Sequence, residues 1–100
     1  MSRTTYQLRR ELEGREQQLG EDHPETLAAV RNLALLLEAQ GKFDEAEPLF
    51  RRALDGLEQQ LGADHQETLA SVTNLALLLQ AQGKFDEAEP LLRRALEGLA

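Results

Sequence analysis

The chain has no cysteine and no tryptophan in its 100 residues. A disulfide framework, a thiolate zinc site and a thiol nucleophile are therefore excluded. Isoleucine is missing too, valine occurs only at positions 30 and 72, and aromatics make up 4%. Sheets draw on β-branched and aromatic side chains, so a sheet has little to form from. What remains is dominated by Leu, Ala, Glu, Gln and Arg, all strong helix formers. The expected fold class is all-α, in one domain covering residues 1–100. Long apolar runs are also lacking. The longest, LALLL at 33–37, falls far short of the roughly 20 residues that span a bilayer. The N-terminal stretch MSRTTYQLRRELEG holds no apolar run of a secretory signal. The expectation is a soluble cytoplasmic protein with no membrane partner.

Positive charge is the scarcer sign: 11 basic residues face 18 acidic ones, for a net charge of −7. That balance argues against a nucleic-acid backbone as partner. The basic pairs Arg9-Arg10, Arg51-Arg52 and Arg93-Arg94 each have acids close by, and read as solvated helix surface.

The chain repeats itself. Shifted by 42 residues, segment 19–58 lies over 61–100 with 32 of 40 aligned residues identical. Internal periods of this size are the mark of repeat architectures. The register extends backwards, since LRRELEGREQQLG at 8–20 lies over FRRALDGLEQQLG at 50–62. Half a unit (3–19) is therefore followed by two full units, 20–61 and 62–100.

Each unit reads as two helices, and with the leading half unit the expected spans are 3–19, 24–40, 44–61, 66–82 and 86–99. The first helix of unit one has two readings of its start. Asp22 with Glu25 forms a capping box, or His23 caps and Pro24 is the first helical residue; Asp64 with Glu67, and His65, repeat the pattern. Leu27, Val30, Leu33, Ala34 and Leu37 form an apolar stripe at helical spacing. Gly41 ends the helix in the left-handed region. Asp44 is expected to cap the second helix, placing Pro48 in or at the edge of its first turn, where few N–H bonds exist to lose. Phe43, Ala46, Leu49, Phe50, Ala53, Leu54 and Leu57 continue at spacings of three and four. Gly56 interrupts that helix at a cost of about 1 kcal/mol relative to Ala. Short connections pack neighbouring helices antiparallel.

The segment NLALLLEAQGKFDEAEPLFRRAL at 32–54 resembles the tetratricopeptide repeat. Ala34, Ala46 and Ala53 match its small contact positions, Gly41-Lys42-Phe43 matches its turn, and Ala76, Gly83, Phe85, Ala88 and Ala95 repeat the match. The period of 42 exceeds the usual 34 and is similar to the longer repeats of kinesin light chains and many bacterial relatives. Leu37 and Leu79 depart from a usual aromatic position, and Gln66 replaces the connector proline. The resemblance implies a right-handed superhelix whose first helices line a concave groove for an extended peptide or a partner helix. Carried over by position, the groove wall is Ala28, Arg31, Asn32, Leu35, Glu38 and Ala39, then Ala70, Thr73, Asn74, Leu77, Gln80 and Ala81. Asn32 and Asn74 are the sharpest candidates, because an amide side chain both donates to and accepts from a peptide backbone. The competing reading is that they bond within their own helix pair.

No catalytic constellation emerges. His23 and His65 lie one repeat apart, too far for a shared metal at about 2.0–2.1 Å, and read as caps. QGKF lacks the remainder of a phosphate loop. Ser2 and Ser71 have no neighbour spaced to activate them. No enzyme activity, cofactor or metal is expected.

The two ends differ. Against 44–61, the leading helix carries Thr4, Gln7, Glu11 and Arg15 where Ala46, Leu49, Ala53 and Leu57 stand, and keeps Leu8, Leu12 and Leu19. It reads as an N-terminal cap. The last helix keeps every apolar residue and leaves Leu92, Leu96 and Leu99 with no following helix. Contiguous apolar surface of this kind marks an interface or a truncation, so a homodimer through this helix is the second expectation beside peptide binding, and a fragment of a longer array is the reading that competes with the dimer.

Overall fold

The computed structural model describes residues 3–99, with side chains from 4 to 98. Its elements are α1 (Arg3–Leu19), α2 (Pro24–Ala39), α3 (Phe43–Leu61), α4 (Gln66–Ala81) and α5 (Phe85–Leu99), and no described residue is in a strand. Each helix packs on the next along the chain. Direction reverses every time: Gln40 at the end of α2 donates to Thr5 at the start of α1 (3.2 Å), and Thr26 at the start of α2 donates to Gly20 just past the end of α1 (2.8 Å).

The local signals explain the boundaries. His23 is the N-cap of α2, its Nδ1 accepting the Glu25 N–H at 3.0 Å with Pro24 as first helical residue. His65 does the same for Glu67 at 3.1 Å. The histidine reading of the caps is the one adopted, rather than the Asp22–Glu25 box. Gly41 and Gly83 take φ of 78°. They let Lys42 and Lys84 turn back and donate to Leu37 and Leu79 at 2.8 Å, the six-to-one bond of a Schellman stop. Asp44 is not a cap. Lys42 holds that position without a side-chain bond, and α3 starts one residue earlier, at Phe43. Pro48 consequently lies inside the helix, beyond the first turn, and the Asp44 carbonyl has no N–H four residues on. Both residues are exposed, so water can satisfy that carbonyl.

The apolar stripes meet in one core. Leu27, Val30, Leu33, Ala34 and Leu37 of α2 are all buried, as are Ala46, Phe50, Ala53, Leu54 and Leu57 of α3. Each fully buried Leu, Val or Phe is worth about 1.5–3 kcal/mol. Gly56 fits this seam for a steric reason. A Cβ there would stand 2.5 Å from Leu27 Cδ1, so the missing side chain sets how closely α3 approaches α2. At the N-terminal end, Leu12 is buried and Leu8 packs on the core, while Thr4, Gln7, Glu11 and Arg15 face solvent. Leu19 is 37% exposed and contributes little cover.

Candidate functional site

Helical geometry sets the site. With their apolar stripes turned inward, α2 and α4 must show the opposite residues to solvent. Asn32, Leu35 and Ala39 are exposed on α2, with Ala28, Arg31 and Glu38 half-buried. On α4, Ala70, Leu77, Gln80 and Ala81 are exposed, with Thr73 and Asn74 half-buried. Leu35 and Leu77, one repeat apart, stand 39% and 49% exposed.

Neither asparagine makes a side-chain hydrogen bond to any described residue, so the competing reading, a bond within the helix pair, finds no such bond. Thr73 differs: its hydroxyl donates to the Leu69 carbonyl of its own helix at 3.1 Å. The Glu38 carboxyl is pushed above its ordinary value by burial.

Two clefts border these residues. One of about 390 Å³ gathers Ala70, Thr73 and Asn74 with Gln66, Leu69 and Ala95 of α5. A smaller one, about 190 Å³, sets Ala28 and Asn32 beside Glu25, Ala29 and the α1 residues Glu11 and Arg15. Arg31, Leu35, Glu38, Leu77 and Gln80 line neither. The cross-helix contributors were not foreseen, because a repeat register aligns equivalent positions but does not say which neighbours touch.

The three residues expected to self-associate are placed unequally on α5. Leu96 is 69% exposed and Leu92 half-buried, while Leu99 lies outside the described side chains. Phe85, 63% exposed, belongs to the same end and was missed. Its signal was available in Phe43, its counterpart, which packs against the core.

The arginine pairs do more than solvate the surface. Arg52 reaches Glu16 at 2.8 Å and Arg94 reaches Glu58 at 3.2 Å, both linking consecutive second helices across 36 residues. Arg9–Glu45 (3.7 Å) and Arg51–Glu87 (3.4 Å) repeat at the same offset. Glu47 sits between Lys84 and Arg51, both 3.1 Å away. Burial pushes its carboxyl up, but hydrogen bonds and charge from the two cations outweigh that and hold it below its ordinary value. The described residues hold no cluster of three potential metal ligands, and no helix long and apolar enough to cross a membrane.

Comparison with known proteins agrees with this geometry. No curated protein matches the chain. A family model described as tetratricopeptide repeat matches residues 7–59 and 28–100, nearly the full length. Helix pairs with glycine stops, small residues at the contacts and a 42-residue period thus have one explanation: the chain belongs to the tetratricopeptide repeat family, whose members serve as protein–protein interaction scaffolds.

Proposed function

We propose that the chain works as one non-catalytic domain that binds an extended peptide or a partner helix along the exposed faces of α2 and α4. The carrying observation is the pair Asn32 and Asn74, one repeat apart on these faces, with side-chain amides uncommitted to any described residue. An amide in that state can donate to and accept from a ligand backbone without first breaking an internal bond. Leu35 and Leu77 supply apolar contact beside them. The two units differ in charge along this wall, Arg31 and Glu38 facing Thr73 and Gln80 in the repeat comparison. Two units make a short wall, so affinity should be about micromolar or weaker.

A peptide array probed with the full chain tests the reading. Peptides retained by the wild type should bind about tenfold more weakly to the Asn32→Ala, Asn74→Ala double variant, with its thermal midpoint unchanged. Equal retention by the variant, or no retained peptide at all, would overturn it.

One observation favours a second reading. The exposure of Leu96 and Phe85 suits an assembly module in which two chains join through α5. Sedimentation equilibrium should then show a dimer that Leu92→Glu with Leu96→Glu dissociates. A monomer at all concentrations removes this reading and leaves the first intact.

A further inference from the structure

The faces of α2 and α4 differ in charge although the units are nearly identical. On α2, Asn32, Leu35 and Glu38 follow at spacings of three and Arg31 stands four before Leu35, so they share one strip of the helix. The equivalent strip of α4 is Asn74, Leu77, Gln80 and Thr73, without a charge. Glu38 is half-buried where Gln80 is exposed. Its side chain makes no ion pair or hydrogen bond to any described residue. Burial pushes its carboxyl up, and no cation offsets that. Glu47 is the contrast. It is partly buried too, but Lys84 and Arg51 meet it at 3.1 Å. Glu38 lacks the partner that a partly desolvated charge requires.

Most cations of the chain are taken up elsewhere. Arg9, Arg51, Arg52, Lys84, Arg93 and Arg94 are each held by a glutamate on α1, α3 or α5. Arg31 lies two turns before Glu38, about 10 Å along the helix axis. That is beyond ion-pair reach and close to one screening length at physiological salt. Together α2 and α4 carry the acids Glu25, Glu38 and Glu67 against Arg31 alone, so these two helices are net negative.

We propose that the ligand of the α2 and α4 faces is a cationic peptide, an extended segment that sets one Lys or Arg side chain on Glu38 and uncharged residues along α4. The inference rests on the groove reading and names the chemistry of its ligand. Asn32 and Asn74 hold the peptide backbone. Leu35, exposed beside Glu38, packs on the aliphatic stem of the basic side chain, and the charged end of that side chain pairs with Glu38. Along Thr73, Leu77 and Gln80 a ligand charge would lose water without gaining a counter-charge. The net charge of −7 steers a cationic segment toward the chain, but the selection itself is local to Glu38.

The probe is an array of short synthetic peptides built from Ala, Ser, Asn and Leu, each made with Lys, Gln or Glu at its central position and incubated with the full labelled chain. Lys versions should be retained about threefold to tenfold more strongly than Gln versions, and Glu versions least. Glu38→Gln should remove that preference and leave retention of the Gln versions unchanged. It should also keep the wild-type circular dichroism, since Gln80 already stands at the equivalent place in unit two. Glu38→Lys should transfer the preference to the Glu versions. Asp55→Asn takes the same charge from an exposed position on α3 and should leave the preference as it is. Retention that depends on Asn32 and Asn74 but shows no Lys preference would overturn this proposal and spare the groove reading. A preference that survives Glu38→Gln, or that Asp55→Asn reduces equally, would also overturn it and assign the effect to net charge. No retained peptide would overturn both readings.

Discussion

Leu54 and Leu96 occupy the same position in two nearly identical units, yet one is 6% exposed and the other 69%. The units differ at 8 of 40 aligned residues, and neither leucine is among the differences. Their surroundings separate them: α3 has α4 laid against it, while no described helix follows α5. In a stacked array, burial belongs to the place in the stack as much as to the residue. The consequence is energetic. A side chain that anchors unit one is a surface group in unit two, so equivalent substitutions should have unequal costs.

The largest expected inequality lies in the core. Phe50→Ala removes a side chain 1% exposed and should cost about 3–5 kcal/mol. Leu96→Ala, at the exposed end, should stay within about 0.5 kcal/mol. Urea denaturation of both variants measures the gap, and equal costs would mean that the open end is covered in solution.

The three equivalent glycines sharpen the comparison. A Cβ at Gly56 meets the end of the Leu27 side chain, which is 0% exposed and can shift only against its packed neighbours. Gly56→Ala should therefore cost about 1–3 kcal/mol, as overpacking does. Gly14 has nothing within 4 Å, so Gly14→Ala should stabilise α1 by about 0.5–1 kcal/mol. Gly98 meets Leu69 at 2.6 Å, but Leu69 borders the open cleft and can yield, so Gly98→Ala should fall between the two. A different order of thermal midpoints would contradict this packing account.

Ser71 offers a smaller test. Its hydroxyl is buried without a hydrogen-bond partner among the described residues, where unit one has Ala29. Replacing it with alanine removes an unsatisfied polar group, and Ser71→Ala should raise stability by about 1 kcal/mol. A loss of stability on denaturation would mean that the hydroxyl finds a partner.

The smallest effect is electrostatic. Glu47 has its folded value held below the ordinary one, so the unfolded chain takes up its proton first as pH falls. Its contribution is present above the ordinary glutamate range and is lost as pH drops through the lowered value. Glu47→Gln should cost no more than about 1 kcal/mol at pH 7 and flatten the acid side of the stability profile. An unchanged slope in acid titration of the two proteins would remove Glu47 from the account.

Much of the fold could be read before any coordinates. Helix number, order and apolar stripes follow from spacing, and the stops at Gly41 and Gly83 from the one residue that takes positive φ without cost. Boundaries slipped at Asp44, because capping preference is a weak local term and Phe43 gains more by joining α3 while it packs on the core. The site was legible only in outline. The register placed Arg31, Asn32, Leu35 and Glu38 on one face with their counterparts on α4, but gave no means of seeing that Ala95 would floor a cleft with Thr73 and Asn74, or that Phe85 would be as open to water as Leu96.

The sequence by itself determined the helices and which side of each is apolar, since both depend on interactions within a few residues along the chain. Tertiary structure alone decided which apolar sides are covered, which arginine finds a glutamate 36 residues away, and which glycine is a steric necessity. Those outcomes depend on what lies beside a helix in space, and two copies of one local sequence can have different neighbours.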